Sequence, residues 1–209
     1  MTGTLIAPCG EAALRIVAVS GTAEERWQTV HALADWIERT RPHGVYGGVP
    51  TYDSLLVEFD PLRTAAEPLS ELLRDAVAHD ATTARAAQRF ELPVVYGGEH
   101  GPDLSFVAEV TGLTEQQVID LHANRDYVVR CLGGPAAACM IDGPPFPVPI
   151  PRLSDPRVEV PPNAISVAGS QGVIGPARSP SVWRLIGLSP VQLFDFRTET
   201  IVPYRPGDV

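Results

Sequence analysis

The chain has 209 residues, of which 44% are hydrophobic and 20% are charged, a composition typical of a packed core that excludes wholesale disorder. The net charge is -9 and all 16 basic residues are arginine, which excludes a phosphate-loop lysine and a Schiff-base lysine. Such an acidic chain is poorly suited to bind nucleic acid or an anionic membrane, and its apolar runs are far shorter than the roughly 20 residues of a membrane span. We expect neither partner.

The cysteines Cys9, Cys131 and Cys139 are too few, and odd in number, for a disulfide framework, and they suit a reducing compartment. The N-terminal residues show no basic patch ahead of an apolar stretch, so they are not typical of a signal peptide. Together these features predict a cytoplasmic protein.

The first part of the chain shows the pattern of helices packed on a sheet. The apolar run Ala12–Val19 predicts a buried strand, and Thr22 with Glu25 three residues later predicts a capping box at the start of a helix. A second strand is predicted over Thr51–Phe59, and a second helix is predicted to begin at Pro68. We expect both helices on one face of the sheet.

Proline marks a change in organisation near Arg89. Residues 1–89 contain 5 of the 21 prolines and residues 90–209 contain the other 16. A predicted strand over Phe90–Tyr96 and two short helices are followed by brief apolar stretches between glycine and proline turns, which are typical of a β-barrel or sandwich. We therefore predict an α+β protein with two domains, residues 1–89 and residues 90–209.

The segment Gly97–Asp103, GGEHGPD, is the first candidate for a functional site. Its glycines let the backbone approach a ligand closely, and Glu99 or Asp103 is suited to act as an acid or base if burial raises its pKa. The alternative is a tight turn in which Asp103 caps the helix that follows.

His122 closes a helix that is predicted to begin at Thr114, which forms a capping-box pattern with Gln117. The dipole of the helix favours a charged imidazole at that end, although taken alone the position is typical of a structural histidine. Glu99, His100 and His122 lack the tight spacing of metal ligands, so we predict no metal site.

The glycine-rich segment Gly169-Ser170-Gln171-Gly172 follows a predicted strand. A serine nucleophile on such a turn needs a helix directly after it, whereas Val173–Pro176 does not begin a helix. We expect the backbone amides near Gly169 and the side chain of Gln171 to bind a ligand instead.

Arg152 and Arg157 are candidates to hold a carboxylate or a phosphate through paired hydrogen bonds, with simple solvation as the alternative. The predicted catalytic residues are Glu99, His122 and Asp103, and the predicted substrate-binding residues are Arg152, Arg157, Gln171 and Gly169.

Several motifs follow one another in a specific order: Tyr96-Gly97-Gly98-Glu99, Gly101-Pro102-Asp103-Leu104, Ala168-Gly169-Ser170-Gln171, Trp183 and Pro206-Gly207-Asp208. This order and spacing resembles the KipI family, also called allophanate hydrolase subunit 1 or 5-oxoprolinase subunit PxpB. The first part of the chain is similar to the N-terminal domain of that family, so the resemblance extends over essentially the whole chain.

The resemblance implies a small α/β N-terminal domain joined to a cyclophilin-like β-barrel. It also implies a heteromeric complex with a KipA/PxpC-type subunit and a LamB/YcsF-type subunit (PxpA), which together hydrolyse 5-oxoproline to glutamate with ATP. The cofactor expected from the resemblance is therefore ATP, held by a partner subunit or by a route other than a phosphate loop. One branch of the family inhibits a sporulation sensor histidine kinase instead.

The chain departs from the family pattern in one long segment. The family usually has Gly-Phe-x-Pro-Gly-Phe-x-Tyr-Leu where this chain has Gly133–Ile141, GGPAAACMI, so two phenylalanines, a tyrosine and a glycine are lost. Aromatic residues of this kind often wall a pocket. The alternative prediction is therefore a non-catalytic regulatory or binding subunit, such as an inhibitor of a sensor histidine kinase.

Residues 144–162 contain 8 prolines and are predicted to form an extended, rigid surface segment. We predict that Ile141, Phe146, Val148 and Ile150 form an exposed apolar strip that contacts a partner, together with the rim near Trp183. The alternative is that these side chains fold back onto the protein's own core.

Overall fold

The computed structural model describes residues 3–80 and 86–209, and it divides into two compact units, Met1–Ala86 and Ala87–Val209. The division lies close to the boundary predicted near Arg89. Residues 88–90 belong to the second unit, because the Val209 amide donates to the Gln88 carbonyl (2.9 Å) and the Phe90 amide donates to the Val209 carbonyl (2.8 Å).

The first unit is a four-stranded antiparallel sheet covered by two helices. The strands pair in the order β1-β2-β4-β3. The elements in chain order are β1 (Thr4–Pro8), β2 (Ala13–Ala18), α1 (Ala23–Thr40), β3 (Val45–Pro50), β4 (Ser54–Phe59), α2 (Ala66–Asp75) and a π-helical turn (Ala76–Asp80).

Both helices pack on the same face of this sheet, which matches the prediction. Along β2, Leu14 and Ile16 are fully buried whereas Arg15 between them is exposed, and β4 alternates in the same way. The buried side of these strands forms one hydrophobic cluster with α1 and α2, in which Leu33 and Leu73 are fully buried.

A local sequence signal places the start of α1 correctly, whereas the start of α2 differs from the prediction by two residues. The side chain of Thr22 accepts a hydrogen bond from the Glu25 amide (3.2 Å), and the Thr22 amide donates to the Glu25 carboxylate (2.7 Å), so the capping box that begins α1 is confirmed. Helix α2 begins at Ala66 rather than at Pro68. Pro68 is tolerated because the amides of a first helical turn have no partner within the helix.

The two edge strands of this sheet, β1 and β3, were not predicted from the sequence. Strand β3 contains Gly47, Gly48 and Pro50, residues that usually mark turns, and β1 ends at Pro8. Within residues 3–80 each of these strands pairs with a single neighbour, so its extended conformation depends on that neighbour more than on its own sequence pattern.

The second unit combines two short helices with a larger sheet. Six strands pair in the order β5-β12-β9-β10-β7-β6, each antiparallel to its neighbours, and β8 pairs separately with β11. The elements are β5 (Val95–Tyr96), α3 (Leu104–Thr111), α4 (Glu115–Ala123), β6 (Val129–Leu132), β7 (Cys139–Asp142), β8 (Arg157–Val160), β9 (Ala164–Ala168), β10 (Gln171–Gly175), β11 (Ser179–Ser181) and β12 (Arg184–Leu188). No pairing within residues 86–209 joins β5 to β6, so a closed cyclophilin-like barrel stays a prediction.

The predicted strand Phe90–Tyr96 is wrong over most of its length, since among the described residues only Val95–Tyr96 of this segment pairs with another strand. Pro93 has no amide to donate to a ladder, so a regular central strand does not run through this position. Leu92 and Val94 still pack against the hydrophobic core, so the apolar pattern indicates burial without strand pairing.

The predicted apolar strip is also wrong, because two of its four members are core residues. Ile141 lies in β7 and is 4% exposed, and Ile150 is 2% exposed. Ile150 exchanges backbone hydrogen bonds with Gly169 (2.9 and 2.7 Å), which ties the proline-rich segment to the sheet. Phe146 is half-buried against the core, and only Val148 is exposed.

Candidate functional site

The loop Gly97–Asp103 packs against strand β12. The Gly97 amide donates to the Ile186 carbonyl (3.1 Å), and a Cβ atom on Gly101 would lie 2.0 Å from that same oxygen. The close approach that requires glycine at position 101 is therefore an approach to the protein's own backbone.

Asp103 is buried, and its carboxylate is occupied by protein donors. Both nitrogens of the Arg157 guanidinium bind it (2.6 and 2.8 Å), and the Leu185 amide donates to it at 2.7 Å. The Arg184 guanidinium lies 3.7 Å away. The predicted helix cap is wrong, because the side chain makes no capping hydrogen bond to α3 and instead joins the start of this helix to β12 and β8.

Glu99 and Arg152 lie at the surface. The Glu99 side chain is 89% exposed, and its nearest charged neighbour is His100, with 3.9 Å between Oε1 and Nε2. The Arg152 guanidinium lies 5.9 Å from the centre of the Trp183 ring, a cation–π distance. These positions leave both residues accessible to solvent.

Gly169 and Gln171 belong to a tight hairpin between β9 and β10. Gly169 has a φ of 57°, a left-handed conformation that glycine adopts without strain, and Gln171 pairs across the sheet with Ala168 and with Asp142. Because a strand follows Ser170, this turn is not the strand-to-helix elbow of a serine hydrolase, which agrees with the prediction.

His122 lines a cavity of about 900 Å³ in the second unit. Its ring is 6% exposed, its Nδ1 lies 2.6 Å from the Tyr96 hydroxyl, and its Nε2 has no hydrogen-bond partner among the described residues. The Tyr127 hydroxyl donates to the His122 carbonyl (2.8 Å) and thereby fixes the end of α4. Buried nitrogens without a partner are uncommon, so this atom marks a position where a ligand can bind.

Burial, with a smaller contribution from the nearby charge of Arg125, lowers the pKa of His122 to about 4. The ring is therefore neutral near pH 7, where it offers one donor and one acceptor. Burial also raises the pKa of Tyr96 to about 12, which keeps its hydroxyl protonated. The pair acts as a neutral hydrogen-bonding unit.

The structure brings together some of the predicted residues and leaves others apart. Asp103 and Arg157 form an ion pair, whereas His122 is the single member of the predicted set that lines the cavity in the described part of the chain. The residues that sequence reasoning missed are Tyr96, Tyr127 and Arg125. Tyr96 begins one of the motifs that carry the family resemblance, but only the fold places the two tyrosines around His122.

Comparison with known proteins assigns the family. Residues 4–204 match the family described as "Carboxyltransferase domain, subdomain C and D". The chain belongs to this family. Over 191 residues, which are 86% of this chain and 80% of its relative, it is 34% identical to a Bacillus subtilis protein named as a 5-oxoprolinase subunit.

Two solved structures carry the same fold inside longer chains. The structure of TTHA0988 superposes with a TM-score of 0.81 at 33% identity and covers 94% of this chain, which spans 38% of the TTHA0988 chain. The urea amidolyase of K. lactis gives a TM-score of 0.77 at 15% identity, covering 99% of this chain and 14% of that protein, a likeness of fold alone. Within residues 3–80 and 86–209, no helix combines the length and the apolar character needed to traverse a membrane.

Proposed function

We propose that this chain is the PxpB-type subunit of a 5-oxoprolinase complex, which opens a cyclic amide by hydrolysis coupled to ATP. The observation that carries the proposal is the 34% identity to a 5-oxoprolinase subunit over most of both chains. A five-membered lactam is a stable amide, so coupling its opening to ATP supplies a better electrophile or leaving group. The name of that relative supports a multi-subunit assembly, and we propose KipA/PxpC-type and LamB/YcsF (PxpA)-type partners.

ATP is assigned to a partner in this proposal. The chain contains no lysine, and its glycine-rich loops serve the backbone: Gly101 packs on Ile186 and Gly169 turns the hairpin. These residues do not fit a phosphate loop, so no step through ATP is derived for this chain.

Glu99 is the exposed acid of the predicted set. Because its carboxylate faces solvent and Asp103 is occupied by Arg157, Glu99 is the carboxylate that remains available to a substrate held between subunits. In this proposal a partner covers Glu99 and removes water from it, which raises the basicity of the carboxylate.

The test is co-expression of this chain with its two partner subunits and an assay for ADP and glutamate formed in the presence of 5-oxoproline. We expect turnover that depends on all three chains, and a loss of about a hundredfold or more in Glu99→Gln. Glu109→Gln, which changes an exposed carboxylate on α3, is the matched control and should leave turnover unchanged. No turnover in an assembled complex, when the Bacillus subtilis relative supports turnover in place of this chain, would contradict the proposal.

A second candidate, a non-catalytic regulatory subunit, is favoured by one observation. The loop between β6 and β7 carries Ala136, Ala137 and Ala138 where the resemblance expects proline, glycine and phenylalanine. Assembly without turnover, combined with reduced autophosphorylation of a sensor histidine kinase when this chain is added, would favour this candidate.

A further inference from the structure

The cavity around His122 has a continuous aliphatic floor. In the sheet, Ile174 of β10 pairs with Ile165 of β9 on one side and with Cys139 of β7 on the other. Two residues further along β7, Ile141 pairs with Val129 of β6. Directly paired residues share a face of a sheet, as do residues two apart, so all five side chains point to one side. All five line the cavity.

The volume of about 900 Å³ is at the upper end of the range for small-molecule sites and is much larger than 5-oxoproline requires. 5-Oxoproline is also a polar molecule, whereas the floor is hydrocarbon. Because the cavity differs from 5-oxoproline in both size and polarity, we assign it to a different ligand.

One polar atom inside the cavity needs an acceptor. Tyr96 has one hydrogen-bond partner within the described residues, Nδ1 of His122 at 2.6 Å. The hydroxyl hydrogen is satisfied when Tyr96 donates to Nδ1, and a neutral imidazole then carries its proton on Nε2. Nε2 is the buried atom without a partner, and His122 lines the cavity, so this N–H is the donor available to a ligand there.

The rim of the cavity supplies a positive charge. Arg125 is exposed, and within the described residues its guanidinium contacts the Tyr127 ring (5.2 Å to the centre) and no carboxylate. The neighbouring Asp126 is bound by Arg89 through two hydrogen bonds (2.6 and 2.7 Å). Glu91 is the remaining charged residue of the rim. Arg125 and His122 both line this cavity, so one anion bound in it can meet both groups.

We propose that this cavity binds an amphipathic carboxylic acid as a ligand distinct from the substrate. Its carboxylate accepts a hydrogen bond from Nε2 of His122 and is paired in charge with Arg125, and its hydrocarbon body lies on the floor formed by Ile165, Ile174 and Ile141. No bond is made or broken, so the site acts by binding alone.

The test is isothermal titration of the full chain with cyclohexylacetate and with its uncharged analogue, cyclohexylacetamide. We expect the carboxylate to bind about fivefold more tightly than the amide, since an accessible ion pair contributes on the order of 1 kcal/mol. Arg125→Gln should remove this preference. Arg178→Gln, which removes an exposed arginine paired with Glu159 outside the cavity, is the matched control and should keep it.

A second measurement follows His122 in the unsubstituted chain by NMR of its imidazole nitrogens. Cyclohexylacetate should shift the Nε2 resonance and leave the ring in the Nε2-protonated form. Three outcomes would overturn the proposal: no binding of cyclohexylacetate at millimolar concentration, equal binding of acid and amide, or binding that leaves His122 unperturbed. The NMR measurement uses the unsubstituted chain, so its result does not depend on the folding of any variant.

Discussion

His122 makes the stability of the second unit sensitive to acid. The pKa of this ring is about 4 in the folded chain and near 6.5 when unfolded, so the unfolded state binds a proton first as the pH falls. Above pH 6.5 the neutral ring makes its full contribution to the free energy of unfolding. This contribution, about 3 kcal/mol in total, is lost as the pH falls through the pKa of the folded chain, about 4.

Urea unfolding of the wild type and of His122→Gln between pH 7 and pH 4.5 measures this loss. Glutamine is uncharged throughout, so the free energies of unfolding should converge as the pH falls. Parallel curves would show that His122 does not titrate with a lowered pKa.

Ala136 and Ala137 hold a strained backbone in the loop between β6 and β7. Their φ angles are 54° and 57°, in the left-handed region that costs a residue with a Cβ roughly 1–2 kcal/mol. Ala137→Gly should raise the free energy of unfolding by about 1 kcal/mol, part of the gain being offset by the greater freedom of glycine in the unfolded chain.

Ala138→Gly provides the control for this prediction, because Ala138 follows directly and has no positive φ. This change should lower the free energy of unfolding, and thermal denaturation of both variants gives the comparison. A destabilising Ala137→Gly would show that the loop does not hold this conformation in solution.

Among the elements of the second unit, the start of α3 depends on Asp103. Its carboxylate is buried, binds Arg157 and accepts from the Leu185 amide, so it joins α3 to β8 and β12. Asp103→Asn places an amide N–H against the guanidinium and leaves Arg157 without its counter-charge, so we expect a loss of about 3 kcal/mol in stability.

Asp126→Asn removes a similar two-bond pairing with Arg89 that is exposed to solvent, and it should have a much smaller effect. Chemical denaturation of both variants tests the contrast. If Asp103→Asn retained stability and lost turnover in the assembled complex, Asp103 would be a catalytic residue rather than a structural one.

Elements with local signals were predictable, and elements that depend on distant pairing were not. Both capping boxes lie within four consecutive residues, and the helices they begin were predicted correctly. Edge strands β1 and β3 depend on their neighbours in the sheet. Asp103 and Arg157 are 54 residues apart in sequence, so their pairing required the fold. His122 was predicted as a site residue, but the cavity around it follows from strand register, which the sequence did not reveal.

At the scale of the whole molecule, the two units have separate hydrophobic cores. One cluster contains only residues of the first unit, and three clusters contain only residues of the second. Leu33→Ala removes a fully buried side chain from the first core and should cost about 2–5 kcal/mol there. We expect faster amide hydrogen exchange in peptides from residues 3–80 and unchanged exchange in peptides from residues 87–209.

Ile186→Ala removes a fully buried side chain from the second unit and should give the reverse pattern of exchange. Exchange that accelerates throughout the chain in both variants would show that the two units unfold as one.

The pairing of Val209 with Gln88 and Phe90 bears on circular permutation of the second unit. Hydrogen bonds of 2.9 and 2.8 Å hold the backbone of residue 209 beside that of residues 88 and 90. A short linker can therefore join residue 209 to residue 87 without stretching the backbone, and new ends can be opened at an exposed turn. The order of the strands along the polypeptide can thus be changed while their pairing in space is kept.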